Sequence, residues 1–88
     1  MDIRDIFAAN LRRIRKEKDL SQEELAYEAG VDRAHVSKIE RSKAYVGLEI
    51  VEKFSKVLAV PPDALLKPLM RRPVKKPTEK LPGPRLNR

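Results

Sequence analysis

The strongest constraint on the fold is a pair of helix-start signals separated by a glycine. Ser21 and Glu24 form an S-x-x-E capping box, which predicts that a helix begins at Gln22. Gly30 stands where that helix must end, because glycine accepts the left-handed conformation that a helix stop requires. Asp32 then supplies an N-cap oxygen for a second helix. This stretch therefore predicts two short helices joined by a tight turn.

The two helices, predicted over about 22–28 and 33–41, carry apolar residues that line one interior wedge. The small side chain of Ala26 lets the helices cross closely. The inward residues are Leu25, Ala26, Ala29, Val31, Val36 and Ile39.

This stretch resembles the DNA-binding helix-turn-helix, whose second helix enters the major groove. L-S-Q-E-E-L-A, then A-G-V, then V-S-K-I-E-R, is similar to the Cro/repressor-type (XRE) family of prokaryotic and phage regulators. The agreement over about twenty residues includes Gln22, Ala26, Gly30 and Glu40. The resemblance implies an all-α fold: a compact, five-helix, lambda-repressor-like DNA-binding domain.

The remaining helices follow from periodicity and proline. An apolar stripe predicts a first helix over 2–18, capped by Asp2. A fourth helix is predicted over about 47–59, and the Pro61-Pro62 pair ends it and starts a short fifth helix. The stripe of the first helix is Ile3, Phe7, Leu11 and Ile14; the inward face of the fourth is Leu48, Val51, Phe54, Ser55 and Leu58.

The formal charge of +7 on the 88 residues lies at one end of the chain. Residues 1–66 hold 12 basic and 12 acidic side chains, whereas residues 67–88 hold eight basic residues, Glu79 and five of the seven prolines. We expect a domain over 1–68, with the motif at 22–41, and a disordered, basic, Pro-rich tail over 69–88. The tail has three open interpretations: non-specific affinity for DNA, binding of a partner protein, or solubilisation.

Composition excludes several classes of function. There is no Cys, and the single His35 cannot form a metal cluster or a paired acid–base site. We therefore expect no metal, no cofactor, no catalytic residue and no enzymatic activity. No apolar run reaches transmembrane length and no leader is present, so we expect no membrane association and a cytoplasmic, nucleoid-associated protein.

The outward residues at the start of the second motif helix are the candidates for reading bases. Arg33 can donate two hydrogen bonds to a guanine, and Lys38 can donate to the same atoms or to a phosphate. Ala34 can contact a thymine methyl group or simply permit close approach. Ser37 can bond to a base or a phosphate. The resemblance assigns base reading to these four positions.

Phosphate contacts are expected on both sides of these residues. Gln22 opens the first motif helix, where its side chain and free N–H groups can face a phosphate together. Arg41, Ser42, Lys43 and Tyr45 lie at the end of the second motif helix and in the loop that follows it. For Lys43 the alternative is a solvated loop charge, and for Tyr45 it is packing over the fourth helix.

The resemblance also implies a structural ion pair between Arg15 and Glu40 that ties the first helix to the third. Arg12, Arg13 and Lys16 lie on the polar face of the first helix. Two interpretations of that face remain open, a solvated surface and an approach to the DNA backbone.

An apolar surface left over by the core would suit a second copy of the chain. Such regulators usually bind two-fold symmetric operators as dimers, and the resemblance implies a homodimer. The alternative is that these residues only widen the core of a small domain. The candidate interface residues are Ile50, Val57, Leu66, Leu69 and Met70.

Together these features predict a sequence-specific DNA-binding transcriptional regulator. It would bind double-stranded DNA as a homodimer on a palindromic operator, with helix 33–41 in the major groove. The alternative is an antitoxin-type DNA-binding protein whose C-terminal tail binds a partner protein.

Overall fold

The computed structural model describes residues 2–68, and over this range the chain forms five α-helices. Their bounds are α1 (Ile3–Glu17), α2 (Gln22–Ala29), α3 (Arg33–Glu40), α4 (Leu48–Leu58) and α5 (Asp63–Leu66). The predicted all-helical, five-helix fold is confirmed. The tail predicted over 69–88 lies outside the described residues. Each of the five helices is too short or too polar to cross a membrane.

One hydrophobic core joins the helices. Phe7 of α1 stacks on Phe54 of α4, with ring centroids 6.4 Å apart. Partly buried residues, among them Leu20 and Val31, pack around the core and close its edges. The buried apolar residues are Phe7, Leu11, Ile14, Leu25, Ala26, Ala29, Val36, Ile39, Val51, Phe54, Leu58 and Leu65.

Four helices end in the same way, with a residue in the left-handed conformation followed by a backbone hydrogen bond that spans the last turn. In α2 this residue is Gly30 (φ 71°), and Val31 N–H donates to the Ala26 carbonyl at 2.9 Å. An added Cβ at Gly30 would meet no atom within 4 Å, so the need for glycine is conformational. The other left-handed residues are Asp19, Ser42 and Ala59.

The capping box predicted at the start of α2 is confirmed. Ser21 Oγ accepts from Glu24 N–H at 3.0 Å, and Glu24 Oε1 accepts from Ser21 N–H at 2.8 Å. Asp32 is the N-cap residue of α3, but the prediction that its side chain caps the helix was wrong. His35 N–H donates instead to the Asp32 backbone carbonyl at 3.0 Å, so the orphan donor is already satisfied.

The prediction that Leu48 faces the core was also wrong, because its side chain is 83% exposed. Leu48 is the first residue of α4. The buried stripe begins one turn later, at Val51, so the apolar face of α4 extends past the edge of the core. This places a large apolar side chain on the surface.

Asn10 is a buried polar residue that holds α5 against α1. Its Nδ2 donates to the carbonyls of Leu65 (3.0 Å) and Lys67 (2.8 Å), and its Oδ1 accepts from Arg13 Nη2 at 3.0 Å. α5 is only four residues long, so a side chain of another helix supplies donors for its C-terminal carbonyls. Asn10 thereby fixes where the chain leaves the domain.

Candidate nucleic-acid interface

The outer face of α3 is a shallow concave surface of polar side chains. Five residues line it: Arg33, Ala34, Ser37, Lys38 and Arg41. All are exposed except Ser37, which is half-buried. The four positions predicted to read bases therefore share one surface, at the start and middle of the helix. Such a surface can enter a groove of DNA without rearrangement of the helix.

The basic side chains of this face are free to meet a ligand. Among residues 2–68, neither Arg33 nor Lys38 forms an ion pair or a side-chain hydrogen bond. Arg41 makes one long contact, from its Nε to the Ser37 carbonyl at 3.3 Å. An approaching base or phosphate would not have to displace a carboxylate from these donors.

The inner face of α3 is buried and ends in a charged group. Val36 and Ile39 pack in the core, and Glu40 follows them with only 2% of its surface exposed. Arg15 Nε donates to Glu40 Oε2 at 2.6 Å, and Arg15 Nη2 donates to Glu40 Oε1 at 3.0 Å. The structure therefore brings together the two residues expected to pair, in the bidentate geometry that arginine and carboxylate favour.

Two further contacts extend this pair. Arg15 Nη1 donates to the Leu20 carbonyl at 2.7 Å, in the connection before α2. Arg12 Nη1 donates to the backbone carbonyl of Glu40. Arg12 is exposed, and its other N–H groups have no partner among residues 2–68, so approach to the DNA backbone stays a prediction for this face. Arg12 and Arg15 of α1 thus both contact Glu40 at the C-terminal end of α3.

Gln22 links the buried pair to the start of α2. Its Nε2 donates to Glu40 Oε1 at 3.0 Å, a contact that sequence reasoning missed. The two residues are 18 positions apart and neither is unusual for its helix, so no local signal could have found it. Among residues 2–68, the backbone N–H groups of Gln22 and Glu23 have no partner. The N-terminus of α2 is thus a site where a phosphate oxygen can bind.

The loop after α3 begins with a tight turn. Ser42 takes a left-handed conformation (φ 62°), and Lys43 N–H donates to the Lys38 carbonyl at 2.9 Å. Lys43 is exposed and Ser42 is half-buried. The loop residues expected to contact phosphate therefore lie directly beside the outer face of α3.

Tyr45 has a partner on α1. The guanidinium of Arg4 lies over its ring, 4.5 Å from the centroid. Arg4 also donates to the Asp2 carboxylate, through Nη2 at 2.9 Å and through its backbone N–H at 2.7 Å. These bonds, the side-chain bond foremost, lower the pKa of Asp2 to about 2, and the carboxylate raises the pKa of Arg4. Arg4 thus ties the start of α1 to the loop after α3.

The candidate dimer residues fall into two groups. Ile50 and Val57 are half-buried and pack against the core, as the alternative interpretation expected. Leu66 is 38% exposed, and Leu69 and Met70 lie outside the described residues. Leu66 lines an apolar groove together with Ile3 and the exposed Leu48.

Asn10 was not predicted from the sequence, although the sequence carries a signal for it. It lies within the apolar stripe of α1, next to Leu11 and one turn after Phe7. A lone amide in such a stripe indicates a buried hydrogen-bonding role. No three His, Cys, Asp or Glu side chains of residues 2–68 converge where a metal ion could bind.

The fold and this surface define a helix-turn-helix DNA-binding domain. Residues 11–65 match the helix-turn-helix family model HTH_3, and the chain belongs to this family of DNA-binding transcriptional regulators. The family recognised in the sequence is thereby confirmed. Curated relatives of this chain are named as a hypothetical transcription factor or as control proteins.

Two curated relatives show the extent of the similarity. The chain is 41% identical over 71 residues to the Neisseria hypothetical transcription factor of Neisseria meningitidis serogroup B (strain ATCC BAA-335 / MC58), covering 81% of this chain and 67% of the relative. It is 44% identical over 66 residues to the control protein C.BamHI of Bacillus amyloliquefaciens, covering 74% of this chain and 82% of the relative.

Two solved structures have the same fold. The crystal structure of the Neisseria hypothetical transcription factor NHTF superposes with a TM-score of 0.74 at 42% identity, covering 76% of this chain and 77% of that one. The restriction-modification controller protein C.AhdI of Aeromonas hydrophila gives a TM-score of 0.69 at 37% identity, covering 70% and 94%.

Proposed function

We propose that this chain regulates transcription by binding a two-fold symmetric operator as a homodimer, with α3 in the major groove. The observation that carries the proposal is the outer face of α3. Among residues 2–68, its Arg33 and Lys38 side chains have no ion pair or hydrogen bond, while its inner face is fixed in the core. A rigid helix with free donors is what direct reading of base edges requires.

We assign base contacts to Arg33, Ala34, Ser37 and Lys38. Arg33 would donate two hydrogen bonds to guanine O6 and N7, because its fork matches those acceptors. Lys38 would donate to a neighbouring base or to a phosphate. Ala34 and Ser37 lie between them on the same surface, where a small side chain allows close approach.

Phosphates would be bound on both sides of α3. Gln22 offers its amide and the free N–H groups at the start of α2. On the other side lie Arg41 and the loop residues Ser42, Lys43 and Tyr45, with the Tyr45 ring held by Arg4. Such contacts set the register of the helix on the duplex, so that the few base contacts determine the sequence.

The dimer would form through the apolar groove beside α5. One module covers only a few base pairs, so two copies are needed for a specific site. Leu66 and Leu48 expose large apolar side chains there, and Ile3 is 46% exposed beside them. We include Leu69 and Met70 in the interface because they directly follow this surface in the chain. Ile50 and Val57 would support it from the core side.

Sedimentation tests the dimer without DNA. We expect Leu66→Glu and Leu48→Glu to shift the chain from dimer to monomer, because burying a charge in the interface carries a desolvation penalty. Tyr27→Glu is the matched control, since Tyr27 is as exposed as Leu48 but does not line the groove. Unchanged sedimentation of both leucine variants would refute this interface.

Selection of bound DNA from a random pool tests the operator. A two-fold symmetric enriched sequence supports the proposal, and enrichment of nothing above background contradicts sequence-specific regulation. Occupation of a promoter by such a dimer is enough to repress transcription, and no chemical reaction is involved. The chain would act on DNA in the cytoplasm.

For the segment 67–88 we propose non-specific affinity for DNA. Its eight basic residues would release counterions from the phosphates. Deletion of residues 71–88 should weaken binding to all sequences alike and flatten its salt dependence. A change in the preferred sequence would show instead that this segment reads bases.

A further inference from the structure

The carboxylate of Glu40 accepts hydrogen bonds from two different side chains. Arg15 occupies both oxygens, with Nε on Oε2 and Nη2 on Oε1. Gln22 Nε2 donates to Oε1 at 3.0 Å. Arg15 and Glu40 are both buried, whereas Gln22 is half-buried and lies at the start of α2. Among residues 2–68, Gln22 is therefore the only other side chain that hydrogen-bonds to the side chains of the buried ion pair, and it is partly exposed.

This contact decides how the Gln22 amide is turned. An amide offers a carbonyl oxygen at one end and an NH2 group at the other, and the two ends exchange by a simple flip. A carboxylate is an acceptor only, so Glu40 selects the orientation with Nε2 inward. One N–H of Nε2 and the backbone N–H of Gln22 then remain available to a phosphate oxygen.

We propose that Glu40 is a positioning residue for DNA binding, which acts by holding the Gln22 amide in the orientation that donates to phosphate. The inference rests on the proposed phosphate contact of Gln22. It gives the Arg15–Glu40 pair a second task besides joining α1 to α3. Arg15 holds the carboxylate, the carboxylate holds the amide, and the amide is ordered before DNA arrives. Ordering it in advance lowers the entropic cost of the contact.

A purely structural role of the Arg15–Glu40 pair leads to a different expectation. Weakening the pair would then lower the unfolding temperature but leave the DNA affinity of the folded domain unchanged. Under the positioning role, affinity falls even in the folded domain, and it falls only while Gln22 is present. A double-mutant cycle between positions 40 and 22 separates the two roles.

The variants are Glu40→Asp, Gln22→Ala and the double variant. Aspartate keeps the charge opposite Arg15 but is one methylene too short to hold Gln22. Binding is measured to one duplex of arbitrary sequence at low salt, below the unfolding temperature of all variants, since phosphate contacts do not depend on sequence. Glu52→Asp is the control, because the only ion pair of Glu52 within residues 2–68 is with exposed Lys56 at 3.8 Å.

We expect each single variant to weaken binding about two- to tenfold, the range of one hydrogen bond. The double variant should bind no more weakly than Gln22→Ala. The slope of log affinity against log salt should stay constant, because none of the variants removes a positive charge. Glu52→Asp should bind like the wild type.

Three outcomes are decisive. If Gln22→Ala weakens binding but Glu40→Asp does not, or if the two losses add, Glu40 does not act through Gln22, while the proposed DNA contact stands. If Gln22→Ala binds like the wild type, the phosphate contact itself is wrong, and the inference falls with it.

A second measurement needs no variant at position 40. Gln22 is the only glutamine of the chain, so its side-chain NH2 pair can be assigned by NMR once it is distinguished from those of Asn10 and Asn87. In the free wild-type protein we expect a side-chain order parameter near the backbone value of about 0.85. A value below about 0.6 would show a freely moving amide and overturn the inference.

Discussion

Arg15 and Arg33 show the same side chain in two opposite situations. Arg15 is buried and gives its donors to Glu40 and to the Leu20 carbonyl. Arg33 is exposed and has no side-chain partner among residues 2–68. The comparison shows how a domain with balanced charge can bind a polyanion. Charges that hold the helices are neutralised inside, and a few donors outside are left without partners.

The largest effect is expected from Arg15→Ala, which removes one partner of the buried pair. Glu40 would be left in the interior without its cationic partner, which costs about 3–5 kcal/mol of unfolding free energy. Denaturant unfolding measures this loss. Lys56→Ala, which removes an exposed ion-pair partner, should change stability by less than about 1 kcal/mol. Equal losses of unfolding free energy in the two variants would contradict the claim that the buried pair stabilises the fold more than an exposed pair does.

A smaller loss is expected from Asn10→Ala, the other buried polar contact between helices. The Leu65 carbonyl would stay buried without a side-chain donor, at a cost of about 1–3 kcal/mol. Thermal or denaturant unfolding detects the change. Hydrogen exchange should show α5 opening more readily than α1, since Asn10 holds α5. A loss spread evenly over all helices would contradict a local role for Asn10.

These two buried contacts also show what could and could not be predicted from the sequence. Helix positions were predicted well because capping boxes, glycine stops and apolar stripes are local signals, as at Ser21 and Gly30. The Arg15–Glu40 pair came from the family resemblance, since nothing in its spacing implies it. The Gln22–Glu40 contact needed the crossing of α2 and α3, which only the structure shows.

Leu48 was predicted incorrectly for a different reason. Periodicity identifies which side of a helix is apolar, but it does not show where the core ends along that side. Leu48 continues the stripe of α4 beyond that end and is left on the surface. The outward position of Arg33, Ala34, Ser37 and Lys38 could be predicted from the helical period, because Val36 and Ile39 face the core. Their contacts with DNA stay a prediction.

A weak, pH-dependent effect is expected from the exposed contact between Asp2 and Arg4. The pKa of Asp2 falls from 3.8 to about 2, chiefly through the Arg4 side chain, so protons bind the unfolded chain more readily. The contribution of the Asp2–Arg4 contact to the free energy of unfolding is therefore complete above pH 4 and is lost as the pH falls toward 2. Unfolding temperatures of the wild type and Asp2→Asn should converge over this range. A constant difference would show that the Asp2 charge is not involved.

The smallest effect on stability is expected on the outer face of α3. Arg33→Ala and Lys38→Ala should each change the unfolding free energy by no more than about 0.5 kcal/mol, because no ion pair or side-chain hydrogen bond within residues 2–68 is lost. Denaturant unfolding is the measurement. A loss comparable to that of Asn10→Ala would mean that these residues hold the fold, and the contrast with Arg15 would fail.

The most direct test of the central claim is the binding of Arg33→Ala to the selected operator and to its single-base variants. If Arg33 reads a guanine, the variant loses about 1–3 kcal/mol of binding free energy and no longer distinguishes bases at one position in each half-site. Discrimination at the other positions should be retained. Equal weakening on every sequence, with discrimination intact, would show that Arg33 binds phosphate and that the outer face of α3 does not read DNA through this side chain.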